Sequence, residues 1–255
     1  MRIVIPSSTD WRQSADFNSG TVLVAGRLAE MLYPDVWRVT RGAWAHALDP
    51  RPWDATHSAN HAARIGGVTD AGAWKLDGTN AYLHAGTRAN LDLPSSFTLS
   101  GWMYRDSTTG SDAIIGKRGA LNNWPYIVFQ LNASNKLTLF ADNGSTVSVS
   151  SSADYEAATW HHFAITRSAT AINFYKNGVA DAGNPHSLAV GTSAPTHSTL
   201  IGANNQGSIS GFWTGMLDDL RIDSAPLRPH QIQTLAARRY NAFRCRLLPG
   251  VFSFQ

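Results

Sequence analysis

The amino-acid sequence predicts an all-β fold, an antiparallel two-sheet sandwich, on three observations. Between about residues 72 and 223, short runs rich in β-branched and aromatic residues recur, with turn signals every 8–12 residues. The turns include Asp77-Gly78, Asn143-Gly144 and Asn177-Gly178, dipeptides that accept the positive φ of tight hairpins. No helical stretch of 10–15 residues separates the runs, which excludes a parallel α/β sheet.

Taken in order, residues 1–41 form an N-terminal arm. Within it, Val22 to Leu32 reads as a helix with Leu28, Met31 and Leu32 on one stripe and Pro34 ending it, or equally as a short strand turning at Gly26. The strand runs are 73–77, 81–85, 96–104, 112–117, 126–131, 136–141, 146–151, 159–167, 171–176, 198–202 and 211–223. From Phe97 to Tyr104, one face carries Phe97, Leu99 and Met103. The opposite face begins with Thr98 and Ser100 and ends in Trp102 and Tyr104, so its aromatic half needs a cover. Leu137 and Leu139 share a face, the mark of a half-buried strand.

Residues 226–235 read as a short helix: Pro229 suits its first turn and Ile232 with Leu235 forms an apolar edge. Arg238 and Arg239 follow where the helix dipole favours cations. The chain therefore divides into an arm (1–41), a sandwich (42–239) closed by a helix over 227–239, and an extended C-terminal arm (240–255).

Composition bounds the function. A charged fraction of 15% with 21 Gly and 11 Pro excludes a coiled coil. With 43% apolar and 10% aromatic residues, the 255-residue chain has ample material for a core, which excludes disorder. The longest apolar runs, such as Val22 to Ala25, are far below the roughly 20 residues of a membrane span. Met1 to Pro6 lacks an apolar core, so no secretory signal is expected. Cys245 is the single cysteine, which leaves no intrachain disulfide and no thiolate set for zinc. Residues 221–255 hold six Arg against one Asp, so the formal charge of +3 belongs to the tail. With Leu247, Leu248, Val251, Phe252 and Phe254 interleaved, the tail reads as an arm on a neighbouring protein rather than a nucleic-acid binder.

Four segments carry a family resemblance. Trp74-Lys75-Leu76-Asp77-Gly78-Thr79-Asn80-Ala81-Tyr82-Leu83 is similar to F-D-G-x-x-D-Y-V, and Phe97-Thr98-Leu99-Ser100-Gly101-Trp102-Met103 to F-T-I-S-A-W-V. Trp160-His161-His162-Phe163-Ala164, leading to Phe174-Tyr175-Lys176-Asn177-Gly178, is similar to W-H-H-V-A followed by L-Y-V-N-G. Gly215-Met216-Leu217-Asp218-Asp219-Leu220-Arg221-Ile222 is similar to G-x-I-D-D-V-R-I, and Asp54 to His61 to a degraded D-S-S-G-N-G-N-H-G. The set resembles the laminin-G-like branch of the concanavalin A-like lectin/glucanase superfamily. That resemblance implies two curved antiparallel sheets of jelly-roll type, an added strand near 43–47 and neighbouring first and last strands. Lectins, enzymes, adhesins and virion parts share this fold, so the resemblance leaves function open.

Glycoside hydrolysis needs two flanking carboxylates. The chain has only Glu30 and Glu156, in different elements, and the adjacent Asp218 and Asp219 should point to opposite faces of a strand. No enzyme is expected. His57 and His61 lack the Glu of a metalloprotease motif, and His161 and His162 should alternate, one buried and one exposed. Calcium is the one ion in prospect: the resemblance makes the strands of Asp77 and Asp218 neighbours, although Asp77 also suits the Asp-Gly turn and Asp218 a backbone N–H or Arg221. Sugar binding needs aromatics beside polar amides. Asn122, Asn123, Trp124 and Tyr126 form one such group, and Asn204, Asn205 and Trp213 another.

The expected role is a non-enzymatic assembly protein, a virion component such as a phage capsid-decoration or tail protein, made in the host cytoplasm. Its partners would be other subunits or copies of itself. The alternative is a glycan-binding module, an adhesin or carbohydrate-binding domain. Assembly contacts are expected at Tyr240, Phe243, Arg244, Arg246, Leu247, Leu248, Phe252 and Phe254. Deleting residues 240–255 is then expected to leave the sandwich folded and to abolish self-association or docking, read by size-exclusion chromatography with light scattering.

Overall fold

The computed structural model describes residues 40–44, 54, 56, 58, 60–93, 95–107, 110–119, 126–142, 146–189, 197–237, 246–248 and 251–253. Its strands, in chain order, are β1 (Thr40–Trp44), β2 (Ala63–Ile65), β3 (Thr69–Asp70), β4 (Trp74–Asp77), β5 (Tyr82–His84), β6 (Ser96–Arg105) and β7 (Asp112–Lys117). There follow β8 (Tyr126–Leu131), β9 (Lys136–Asp142), β10 (Thr146–Asp154), β11 (Trp160–Ser168), β12 (Ala171–Lys176), β13 (Val179–Ala180) and β14 (His186–Ser187). The last are β15 (Thr199–Ile201), β16 (Asn204–Asn205), β17 (Ile209–Ser210), β18 (Thr214–Asp223), helix α1 (Pro229–Ala236), β19 (Arg246–Leu248) and β20 (Val251–Ser253).

Two antiparallel sheets make the sandwich. Sheet A runs β13-β12-β11-β6-β18-β4-β3, with β1 also on β18 and β14 also on β12. Sheet B runs β10-β9-β8-β7-β15-β5-β2. This is the jelly-roll architecture, with the first strand beside the last long one as the resemblance implies. Alternation drives it: Phe97, Leu99 and Met103 of β6 face Ile127, Phe129 and Leu131 of β8, and both sets are buried. Phe97 and Phe129 meet edge to face at 5.8 Å. Leu137 and Leu139 join the same core, which Trp44, Trp74 and Trp213 enlarge. The hairpin at Asn177-Gly178 has φ of 51° and 80°, as the dipeptide predicts.

β7 is anchored at both ends. At its start, Arg105 of β6 reaches across the sandwich and donates to Asp112 at 2.8 Å, Asn135 at 3.0 Å and the Gly110 carbonyl at 2.8 Å. At its end, Lys117 is fully buried and its Nζ meets Asp92 at 2.9 Å and the His197 carbonyl at 3.1 Å. Burial raises the Asp112 carboxyl against the pull of Arg105, and burial lowers the Lys117 amine against the pull of Asp92.

β18 carries a bulge. Asp218 pairs with Trp102 and Arg221 with Ser100, so two residues oppose Gly101 alone. Asp219 takes the left-handed φ of 45°, and Leu220 turns inward over the missing side chain, where a Cβ on Gly101 would lie 2.6 Å from it. At the β10 edge of sheet B, which pairs with no further described strand, Asp181 accepts the Ser152 and Ala153 backbone N–H groups, both at 2.7 Å.

Three expectations change. The covered half of β6's outer face is the polar half: Thr98 donates to the Ala225 carbonyl and accepts the Leu227 N–H, both at 2.8 Å, while Trp102 and Tyr104 are half-buried. The closing helix is shorter than 227–239; Pro229 is in its first turn, and Ile232 and Leu227 pack on Ala164 and Tyr175. Part of the C-terminal arm is a hairpin, with Leu247 opposite Phe252 and Leu248 opposite Val251. Pro249-Gly250, between the apolar pairs Leu247-Leu248 and Val251-Phe252, is the turn signal in the sequence. Tyr240, Phe243, Arg244, Phe254 and the 22–32 segment lie outside the described residues, as do Arg238 and Arg239.

Trp74 is fully buried, and Trp74→Ala is expected to cost roughly 3–5 kcal/mol. Trp102→Ala should cost clearly less, because that ring is half-buried. Urea denaturation of both variants checks the order.

Candidate functional site

The sequence-predicted groups separate once folded. Asn122, Asn123 and Trp124 lie outside the described residues. Tyr126 is only 5% exposed, because the Arg118 guanidinium lies over its ring at 4.0 Å. Asn204 is buried over Gly116, and Asn205 accepts the Gly207 N–H within its own turn. Gly116 pairs with Val128, so Asn204 and Tyr126 do share the outer face of sheet B, yet they offer no exposed stacking ring. Trp213 is a correction: it is wholly in the core, its Nε1 donating to the Tyr104 carbonyl at 3.3 Å.

The calcium pair is a second correction. Asp77 pairs with Thr214, four residues from Asp218, about 13 Å along the strand. The Asp77 carboxylate instead accepts the N–H groups of Thr79, Asn80 and Ala81 at 2.8–3.0 Å, and these bonds hold its pKa down. Asp218 accepts the Asp219 N–H at 2.8 Å. Among the described residues, no group of three or more His, Cys, Asp or Glu is placed to hold a metal ion. Asp54 does similar work inside its loop, accepting the N–H groups of Ala43, Thr56 and Asn60 at 2.9 Å each.

Asp218 and Asp219 do not alternate as a regular strand requires, because of the bulge. Burial raises the Asp219 carboxyl to about 7; Arg221 opposes the rise, and Asp218 and Asp223 add to it. Asp223 is likewise raised by burial, with Arg221 opposing. The histidine expectation also changes: both are buried, on opposite faces. His161 meets Glu156 at 3.1 Å, which also holds Lys176 at 2.8 Å. His162 lies against Trp102 at 5.4 Å, edge to face, and burial beside Arg221 pushes its pKa down to about 3.

The exposed chemistry lies on the outer face of sheet A. Register places Trp160 of β11, Tyr104 of β6, Met216 of β18 and Lys75 of β4 in one cross-strand row. All four are half-buried. Three strand spacings make the row about 14 Å long. Tyr104 and Trp160 are tilted at 53° with centroids 5.7 Å apart. Trp102 and His162 form the next row, and the Trp102 Nε1 and His162 Nδ1 atoms have no hydrogen-bond partner among the described residues. Lys75 is paired with Asp106 at the polar end. Such a surface combines flat apolar rings with flanking donors and acceptors. The sequence signal for it is Trp102 and Tyr104 alternating with the core set of β6.

With the geometry in place, kinship is decided by residues 77–233, which match a laminin-G family model described as the concanavalin A-like lectin/glucanases superfamily. The chain belongs to that superfamily. No curated protein matches the sequence. Among solved structures, the superfamily fold is shared with domain 4 of AbnA, an extracellular GH43 arabinanase from Geobacillus stearothermophilus solved with arabinotriose. That likeness has a TM-score of 0.62 at 17% identity and covers 77% of this chain and 98% of that one. The binding domain of Paraclostridial Mosquitocidal Protein 1 gives 0.61 at 14% identity, over 80% of this chain and 52% of that one. A botulinum neurotoxin type C structure, in work on cell entry through two ganglioside molecules, gives 0.60 at 14% over the same shares. The chain thus spans about half of those two proteins.

The acids clustered at the β18 bulge set a pH dependence. Asp219 has a folded pKa near 7 against an ordinary 3.8, so its contribution is present below pH 4 and lost as pH rises through 7. Asp219→Asn stays neutral and tolerates the left-handed backbone. The variant is expected to match the parent at pH 4 and to exceed its urea midpoint at pH 8.

Proposed function

We propose that this chain is a non-catalytic carbohydrate-recognition module that binds neutral sugar rings along the Trp160–Tyr104–Met216 row. One observation carries the reading: three large side chains, half-exposed and in register, cross the face of a rigid sheet. One ring's C–H face stacks on Trp160 and Tyr104, and the hydroxyls of a following ring, beyond Met216, meet Lys75 and Asp106 at the row's end. Family membership supports the reading at the level of fold, and the arabinanase domain is a protein of that fold with a saccharide bound. The absence of catalysis is part of the proposal: Glu156, the one Glu among the described residues, is tied to Lys176 and His161.

A second reading keeps the chain as a subunit of a larger assembly, a virion part made in the host cytoplasm. It rests on the apolar β19–β20 hairpin, which pairs with no other described strand. Stoichiometric presence in purified particles would support it.

A glycan array followed by calorimetry tests the main reading. Selective binding of a neutral oligosaccharide is expected. Trp160→Ala and Tyr104→Ala should each weaken it at least tenfold while lowering the unfolding midpoint far less than Trp74→Ala does. Silence across the array, or binding indifferent to both substitutions, overturns the proposal.

A further inference from the structure

We infer that the outer face of sheet B holds a site for an acidic sugar, with the carboxylate on Arg118 and a ring hydroxyl or amide N–H on Asn204. The site shares no residue with the aromatic row of sheet A and stands or falls separately from it.

Arg118 directly follows β7 and lies beside Tyr126, the first residue of β8. Its guanidinium carbon sits 4.0 Å from the centre of the Tyr126 ring, a cation–π contact that holds the fork against the ring. The cation has no hydrogen bond or ion pair among the described residues, and its Nε is buried without a partner. Asp142 shares this face, and its Oδ2 is engaged by the Tyr126 hydroxyl at 3.1 Å and by the Thr146 hydroxyl. The fork is therefore held against an aromatic ring while its terminal N–H groups, which meet no acceptor among the described residues, are offered to a carboxylate, the anion whose geometry they match.

Asn204 supplies the second contact. Gly116 precedes Arg118 by two residues on the same face, and Asn204 lies over it: a Cβ on Gly116 would meet Asn204 Oδ1 at 3.1 Å. Asn204 is 3% exposed, and its Oδ1 has no donor. A buried amide oxygen without a donor is an uncompensated desolvation, which an incoming O–H or N–H relieves. Two residues of strand separate the backbones below the two groups by about 6.7 Å. A sugar acid spans this with its carboxylate at one end and a ring donor at the other. Acetate reaches only Arg118, and a neutral hexose has no anion to offer it. The sequence places amides here but does not reveal the cation, because Arg118 becomes a site only when β7 and β8 bring it onto Tyr126.

NMR titration of the full chain with sodium glucuronate, with glucose and sodium acetate as controls, tests the site. Glucuronate is expected to bind at least tenfold more tightly than either control. Arg118→Gln should remove glucuronate binding, and Arg118→Lys, which keeps the charge but not the fork, should weaken it. Asn204→Ala should weaken glucuronate at least fivefold and leave acetate unchanged. Trp160→Ala should leave glucuronate binding intact, which separates this site from the sheet A row. Equal affinity for acetate and glucuronate overturns the sugar assignment. Parent-like glucuronate binding by Arg118→Gln overturns the site.

Discussion

The sandwich depends on how β7 is pinned. Every residue of this strand is buried, and each end is fixed by a cation taken out of water. Arg105 satisfies three acceptors from separate segments, so sheet A is tied to the β6–β7 connection and to the β8–β9 turn at one point. Lys117 gathers Asp92 and the His197 carbonyl, tying the loop after β5 to the segment that leads into β15. Removing one partner from such a buried pair strands the other charge, which is far costlier than losing a surface ion pair. With these two clamps, two sheets that share no covalent cross-link keep one relative position.

That fixed position gives the two outer faces different characters. On sheet A, the bulge at Asp218–Leu220 puts a leucine into the core and leaves Asp218, Arg221 and Asp223 on the outside. The chain after β18 then covers Thr98 and, through Leu227 and α1, Ala164 and Tyr175. What stays open is the aromatic end. On sheet B, the short β16–β17 hairpin crosses the glycine of β7, and only a residue without a side chain allows that approach. One sheet therefore presents rings, and the other presents a cation above a ring.

The strand pattern is legible in the sequence wherever apolar alternation is uninterrupted. The bounds of β7, β8 and β12 follow directly from short apolar runs of this kind, and the turn after β12 follows from Asn177-Gly178. What the sequence conceals is cross-strand. Trp213 follows a polar Asn-Asn-Gln-Gly stretch and looks exposed, but its backbone N–H pairs with the Gly202 carbonyl and its own carbonyl with Gly78, which carries the ring inward. The bulge in β18 is invisible without Gly101 on the partner strand. The row on sheet A is half-legible: Trp102 and Tyr104 plainly alternate outward, but only register brings Trp160 beside Tyr104. Which half of that face is covered depends on where α1 lands, and no local pattern encodes that.

The Asp181 carboxylate on β10 has a consequence for how the protein behaves in company. An open strand edge is a template on which another chain grows, and sheets that meet edge to edge become fibres. β10 carries no charge from Thr146 to Ala153, so its own side chains offer no resistance to such growth. Asp181 occupies the N–H groups of Ser152 and Ala153 and puts a negative charge beside them. A foreign strand sliding along this edge meets occupied donors and a carboxylate before its register is complete. The protection is donated from another part of the chain, which leaves β10 free to keep the valines that its inner face gives to the core.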